Sequence, residues 1–181
     1  MPRGGFFLSY LRHPRATGSI TPSSRFLVRK LLEPLDASSF KYVVELGAGD
    51  GRVTTALLRK FGNNCCVLAF EINERLAKSI EQTDNLRLVH DDGEHLARYL
   101  ARYHLRNVDY VVSSLPLANF AKAKRQKLLD VVHHALKEEG KFVQYQYTLF
   151  SLKDLRLVFR KVSISFTPFN IPPAFVYTCE K

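Results

Sequence analysis

Val43-Val44-Glu45-Leu46-Gly47-Ala48-Gly49-Asp50-Gly51 is the stretch whose reading decides the fold. A β-branched pair runs into a loop with glycines at alternate positions, and Arg52-Val53-Thr54-Thr55-Ala56-Leu57-Leu58 leaves it in a helical pattern. Glycines tolerate positive φ and let a ligand approach the backbone, so this strand–turn–helix has the form of a nucleotide-type site. A second acid, Glu71, follows twenty residues beyond Gly51, at the end of the apolar run Cys66-Val67-Leu68-Ala69-Phe70. From a neighbouring strand end its carboxylate can accept hydrogen bonds from both hydroxyls of a ribose.

The spacing selects among such ligands. Dinucleotide sites use G-x-G-x-x-G, which sets a pyrophosphate on a helix N-terminus. Here the pattern is E-x-G-x-G-x-G, with Glu45 ahead of the glycines and Asp50 inside the loop. Two carboxylates repel a pyrophosphate but suit a ligand carrying an ammonium and a sulfonium. The segment resembles motif I of the class I S-adenosylmethionine methyltransferases, which implies S-adenosylmethionine as cofactor and S-adenosylhomocysteine as its product.

The rest of the chain supports one α/β domain. Alternating strand and helix patterns predict strands at 42–46, 66–71, 86–90, 109–113 and 141–147, with helices at 51–61, 73–82, 94–103 and 120–137. Such alternation implies a parallel sheet with helices on both faces. The ending breaks the pattern: a short helix near 151–157, then Leu157–Phe166 and Ala174–Cys179 around a turn-rich Thr-Pro-Phe-Asn-Ile-Pro-Pro. Two strands joined by a short loop read as an antiparallel hairpin. The expected architecture is therefore a Rossmann-like class I methyltransferase fold. Its mostly parallel, seven-stranded sheet carries a C-terminal hairpin and is preceded by an N-terminal amphipathic helix. Within it, 1–36 form the N-terminal and cap helices and 37–181 the cofactor-binding domain.

Composition bounds the partners. The 181 residues carry a net charge of +10, and the first 30 hold Arg3, Arg12, Arg15, Arg25, Arg29 and Lys30 with no acid. Such a balance suits nucleic acid or an anionic membrane surface. Cys65, Cys66 and Cys179 are odd in number and two are adjacent, so no disulfide framework is expected. The histidines, including the adjacent His133-His134, show no metal-ligand spacing with them. The reading is a reduced, metal-free cytoplasmic protein without a spanning segment or a secretory signal.

Near the N-terminus Phe6, Phe7, Tyr10 and Leu11 recur at helical spacing between Arg3, Arg12 and Arg15, and Pro14 ends the run. A basic amphipathic helix with bulky aromatics is the pattern of an interfacial membrane anchor; docking of its apolar face on the domain is the other reading. A second helix is predicted over 22–32, with Thr21-Pro22 as N-cap and first turn, and Phe26, Leu27, Leu31 and Leu32 facing inward.

Ligands of open α/β sheets lie beyond the carboxyl ends of the strands. After strand 1, Glu45, Gly47, Ala48, Gly49 and Gly51 line the cofactor's amino-acid and ribose portions. After strand 2, Glu71 meets the ribose hydroxyls, with Ile72 beside it. Asp91-Asp92-Gly93 follow strand 3. By resemblance Asp92 accepts from the adenine amine while Gly93 offers its backbone; an ordinary helix-capping pair is the alternative. The strand-4 loop, Ser113-Ser114-Leu115-Pro116-Leu117, faces the transferred methyl, which makes Ser113 a cofactor-binding and catalytic candidate and Leu115 a substrate contact. Methyltransferases acting on base amines commonly place an aromatic here. Its absence removes a stacking contact worth about 1–3 kcal/mol per base, so the loop suits an amine that is not on an aromatic ring. On strand 5, Tyr145 and Tyr147 alternate with Gln144 and Gln146, and one pair faces the crevice. Tyr147 is the candidate for holding a methylated ammonium by cation–π attraction.

Three segments together carry a more specific resemblance: Ser-Ser-Leu-Pro-Leu at 113–117, Phe-Phe-Leu-Ser-Tyr-Leu-Arg-His-Pro-Arg-Ala-Thr-Gly-Ser-Ile-Thr-Pro-Ser-Ser-Arg at 6–25, and Asn-Ile-Pro-Pro-Ala-Phe-Val-Tyr at 170–177. They resemble the bacterial phospholipid N-methyltransferases over nearly the whole chain. That resemblance implies stepwise conversion of phosphatidylethanolamine to phosphatidylcholine by a protein bound peripherally to the cytoplasmic membrane surface, with a phospholipid and an anionic surface as partners and no nucleic acid. The alternatives are a ribosomal-RNA adenine dimethylase-like enzyme and a non-catalytic protein of the same fold that binds membrane or a partner.

Overall fold

In the computed structural model the described residues are 22–181. The expected anchor residues Arg3, Phe6, Phe7, Tyr10, Leu11, Arg12 and Arg15 lie outside them. A seven-stranded sheet in the order β3-β2-β1-β4-β5-β7-β6 forms the centre. The strands are β1 Lys41–Leu46, β2 Cys65–Phe70, β3 Leu86–Val89, β4 Val108–Ser113, β5 Leu136–Gln146, β6 Lys161–Thr167 and β7 Ala174–Glu180. β1 to β5 pair in parallel, and β7 runs antiparallel between β5 and β6. This is the expected class I methyltransferase sheet with its reversed C-terminal strands.

The central strands are apolar on both sides because helices cover both. On one side α1 (Arg25–Leu32) and α2 (Arg52–Phe61) bury Leu27, Leu31, Val53 and Leu57 against Val43, Val112, Val143 and Val176. On the other, α4 (Leu96–Arg102), α5 (Lys122–Ala135) and α6 (Leu152–Val158) bury Leu96, Leu129 and Leu155 against Val44, Leu68, Val111 and Phe142. Arg125 reinforces that side: its Nε lies 2.6 Å from Asp154, and its Nη1 donates to the carbonyl of Phe120.

Several boundaries differ from the sequence reading. The first described helix starts at Arg25, not at Pro22. Ser24, with extended backbone, caps it by accepting from the Leu27 N–H at 3.2 Å. Its buried stripe is Leu27, Val28, Leu31 and Leu32; Phe26 stands off that stripe and is exposed. The helix expected over 73–82 shortens to α3, Glu74–Ala77, capped by Asn73. The chain then turns so that Ile80 is buried against Gly51, where a methyl on the glycine would meet Ile80 Cγ1 at 3.0 Å. The helix expected to reach 137 ends at Ala135, and β5 begins directly at Leu136, paired with Val108. The strand expected from Leu157 starts only at Lys161, because α6 runs on to Val158.

Candidate active site

Four loops meet at the carboxyl edge of the parallel strands. The glycine loop after β1 takes the left-handed backbone that its composition anticipates: Gly47, Gly49 and Gly51 have φ of 81°, 57° and 80°. Gly47 and Ala48 donate their N–H groups to the carbonyl of Phe70, tying the loop to the end of β2. Gly49 donates at 2.7 Å to Oε2 of Glu71, whose Oε1 accepts from the Asn73 N–H, also at 2.7 Å. Glu71 therefore spans the first two loops. A carboxylate has about four acceptor positions, so two backbone bonds leave room for ribose hydroxyls. Ile72, next in the chain, is exposed, and its carbonyl meets His90 Nε2 at 2.8 Å.

Glu45 lies lower in the sheet, between Ala69 of β2 and Val112 of β4, and is fully buried. Its Oε2 accepts from the Thr54 hydroxyl at 2.6 Å, while Oε1 is buried without a hydrogen-bond partner. Burial pushes its carboxyl up to about 7; the Thr54 hydrogen bond opposes the shift, and the Glu71 and Asp50 charges add to it. Thr54, one turn into α2, carries no sequence signal of its own beyond its place after the glycines.

The third loop is more committed than the sequence indicates. Asp92 caps the short 3₁₀ turn Gly93–His95 by accepting from the Glu94 N–H at 3.0 Å, and its Oδ2 lies 3.1 Å from Lys124 Nζ. Burial raises the Asp92 carboxyl, but the Glu94 N–H and the Lys124 ammonium outweigh it and leave the group below the ordinary range. Asp91 turns to His95 and Tyr99. Gly93 stands where a methyl would meet Leu46 Cδ2 at 3.1 Å and Leu115 Cδ1 at 3.6 Å.

Leu115 also closes on Gly47, where a methyl would meet its Cδ2 at 3.1 Å. The strand-4 loop is thereby keyed into the loops after β1 and β3. Ser113 is fully buried, and its Oγ accepts from the Leu115 N–H at 3.2 Å, so its hydroxyl shapes the turn. Of the alternating pairs on β5, it is the glutamines that reach this loop. Gln144 and Gln146 both donate from Nε2 to the Leu115 carbonyl at 2.8 Å. Tyr145 and Tyr147 lie on the side of α1, edge to face with centroids 5.7 Å apart, half-buried against that core. Period-two alternation separates the two pairs but does not say which side the loop occupies, and so the glutamine clamp is not visible in the sequence.

These residues fit S-adenosylmethionine. Glu45 has an unpartnered buried oxygen, Glu71 keeps free acceptor positions, and a side chain built at Gly49 would meet nothing within 4 Å. Glu45 and Glu71 would balance the ligand's positive charges, the Gly47–Gly51 backbone would follow its amino-acid and ribose parts, and Asp92 with Gly93 would meet its adenine. When bound, the cofactor supplies an activated methyl on sulfur; the protein's part is to align an amine with it.

Fold and site together define a class I S-adenosylmethionine-dependent methyltransferase. A methyltransferase-domain family matches residues 43–140. An ornithine lipid N-methyltransferase from Singulisphaera acidiphila is 31% identical over 97% of this chain and 95% of its own. By these matches the chain belongs to the S-adenosylmethionine-dependent methyltransferases, in the lipid N-methyltransferase family. Solved structures share the fold at lower identity. An N1-methyltransferase from Burkholderia thailandensis, crystallised with S-adenosylhomocysteine, superposes with a TM-score of 0.67 at 18% identity, covering 97% of this chain and 85% of that one. An rRNA methylase from Streptococcus thermophilus superposes with a TM-score of 0.61 at 20% identity, covering 90% and 98%.

Proposed function

We propose that the protein methylates the amine of phosphatidylethanolamine, stepwise to phosphatidylcholine, while bound to the cytoplasmic face of the membrane. The observation that carries a lipid acceptor is the likeness to a lipid N-methyltransferase over nearly the full length of both chains. The acceptor loop supports it. Residues 113–117 offer serine, leucine and proline but no aromatic to stack on a base, and the loop is fixed to β5 by Gln144 and Gln146. A flexible aliphatic amine needs no such platform. The headgroup amine is protonated near neutral pH, and so are its mono- and dimethylated products, so one proton leaves before each of the three transfers. Tyr147, on the α1 side of β5, is the residue we assign to steadying the methylated ammonium, with Ser113 and Leu115 assigned to the acceptor turn.

The same relative favours a second reading, in which ornithine lipid is the acceptor. Labelled methyl from S-adenosylmethionine, offered in parallel to phosphatidylethanolamine, ornithine lipid and structured RNA, distinguishes them. Label in mono-, di- and trimethylated ethanolamine lipid is the expected result. Label only in ornithine lipid replaces the first reading by the second, and label only in RNA or in none of the three defeats both.

A further inference from the structure

Several of the large apolar side chains left in water lie at one edge of the described molecule. Ile72 follows β2, and Leu149 and Phe150 follow β5; all three are exposed. Phe169 and Ile171, 67% and 81% exposed, sit in the loop before β7, whose Phe175 pairs with Gln146 at the end of β5. All therefore lie at the carboxyl edge of the parallel strands, the edge that holds the glycine loop and residues 113–117.

The β6–β7 loop is braced rather than loose. Ser24 donates its N–H to Asn170 Oδ1 at 2.9 Å and its hydroxyl to the Phe169 carbonyl at 2.7 Å. Asn170 is buried and donates in turn to the Pro172 carbonyl at 2.7 Å. This bracing holds Phe169 beside Phe26, itself 42% exposed, with ring centroids 5.1 Å apart. The guanidinium of Arg25 stands 4.9 Å from the Phe26 ring, and Arg29 is exposed one turn on. Exposed apolar surface on a fixed support marks an interaction site, and arginines around an apolar tip suit a surface of anionic headgroups over acyl chains. The first 30 residues of the chain hold six Arg and Lys and no acid.

We infer that Phe26, Phe169 and Ile171 form a wedge that enters the headgroup layer of an anionic bilayer, so that the carboxyl edge of the sheet faces the lipid. The inference rests on the lipid-acceptor reading above and assigns it a docking surface in the folded domain, separate from residues 1–21. Inserted there, the wedge sets the cofactor loop and the 113–117 turn at headgroup depth, where a lipid amine need not leave the bilayer to react.

The chain has no tryptophan, so Ile171→Trp makes a single reporter in the full-length protein. With vesicles of equal parts phosphatidylethanolamine and phosphatidylglycerol, its emission should shift to the blue and be quenched by lipids brominated high on the acyl chain. Phe40→Trp, exposed ahead of β1 at the opposite edge, should show neither. In a vesicle pull-down, Phe169→Ser with Ile171→Ser should lower partitioning at least about tenfold while cofactor affinity and Tm stay at parent values. An unshifted Ile171→Trp on vesicles that do bind the protein overturns the wedge, because another surface then carries the binding. Emission already blue-shifted and vesicle-independent overturns it too, since residues 1–21 or a second copy then cover the tip. Methylation of detergent-dispersed lipid separates the two ideas. Activity there without insertion refutes the wedge alone, whereas insertion without any lipid methylation refutes the lipid-acceptor reading alone.

Discussion

The amide nitrogen of Gln144 lies 2.8 Å from the carbonyl oxygen of Leu115. The same oxygen accepts from Gln146 Nε2 at 2.8 Å and from the Leu117 N–H at 2.9 Å. Three donors fill this carbonyl, so an incoming amine finds its acceptors elsewhere on the loop, and Leu115 is left to set position. Its side chain rests over Gly47 and Gly93, which makes the register of the acceptor turn against the cofactor loops depend on two glutamines of β5.

Removing that clamp should separate alignment from cofactor binding. Gln144→Leu with Gln146→Leu keeps the side-chain bulk and frees the Leu115 carbonyl. A displacement of the turn by about 1 Å costs on the order of a hundredfold in rate. We expect kcat to fall about ten- to a hundredfold while the Kd for S-adenosylmethionine changes less than about threefold. Calorimetric Kd and steady-state kcat on the same preparations check this. Equal losses in both would mean that the glutamines only support the fold.

Glu71 should behave in the opposite way. It accepts from Gly49 and Asn73 with its two oxygens and is the ribose ligand we assign. Glu71→Ala leaves two backbone donors unpaired, each costing about 1–3 kcal/mol if it stays dry, and removes the charge-assisted bonds to ribose. Affinity for S-adenosylmethionine should drop by about two orders of magnitude, together with a lower Tm. Glu71→Gln, which keeps an acceptor oxygen, should recover part of the Tm but little of the affinity. Titration calorimetry and thermal melts read the two effects separately.

What was legible in the sequence follows from what is local. The glycine loop could be read because positive φ and close approach demand glycine at fixed spacing, and βα alternation follows from the covered faces of a parallel sheet. Phe26 leaves the buried stripe expected for it because a helix as short as Arg25–Leu32 admits more than one phase, and its ring partner Phe169 comes from the far end of the chain. Asp92 could be read as a cap, but its ion pair with Lys124 depends on how α5 crosses the loop after β3. The full burial of Glu45 and its bond to Thr54 arise where a strand passes under a helix, and neither neighbour announces it.

Glycine substitutions should rank by surroundings as well as by φ. Gly47 and Gly49 both have positive φ, but a methyl at Gly47 would press on Leu115 Cδ2 at 3.1 Å, whereas one at Gly49 would meet nothing within 4 Å. Left-handed backbone costs a non-glycine residue about 1–2 kcal/mol. Gly49→Ala should therefore lower stability by about that amount and, by placing a methyl in the space assigned to the cofactor, weaken its binding. Gly47→Ala adds a push on the acceptor turn and should lose kcat beyond its stability loss. Denaturant melts paired with initial rates below the melting range test the ranking. The ordering fails if Gly49→Ala has the lower kcat of the two at equal folded fraction and saturating S-adenosylmethionine.

Glu45 sets a pH dependence whose sign is fixed by its burial. Its carboxyl moves from an ordinary value of 4.5 up to about 7 in the folded protein. A raised acid binds its proton more tightly when folded, so its contribution to stability is complete below about 4.5 and is lost as pH rises through about 7. The ligand-free protein should lose Tm over that window, and Glu45→Gln should flatten this part of the curve. A bound sulfonium and ammonium favour the carboxylate, so binding of S-adenosylmethionine should expel the proton. Affinity should then rise with pH up to about 7, and calorimetry in buffers of different ionisation enthalpy should show proton release between pH 5.5 and 7. In Glu45→Gln both the rise and the release should be smaller. If parent and variant give parallel Tm curves and equal proton release, Glu45 is not the group that titrates.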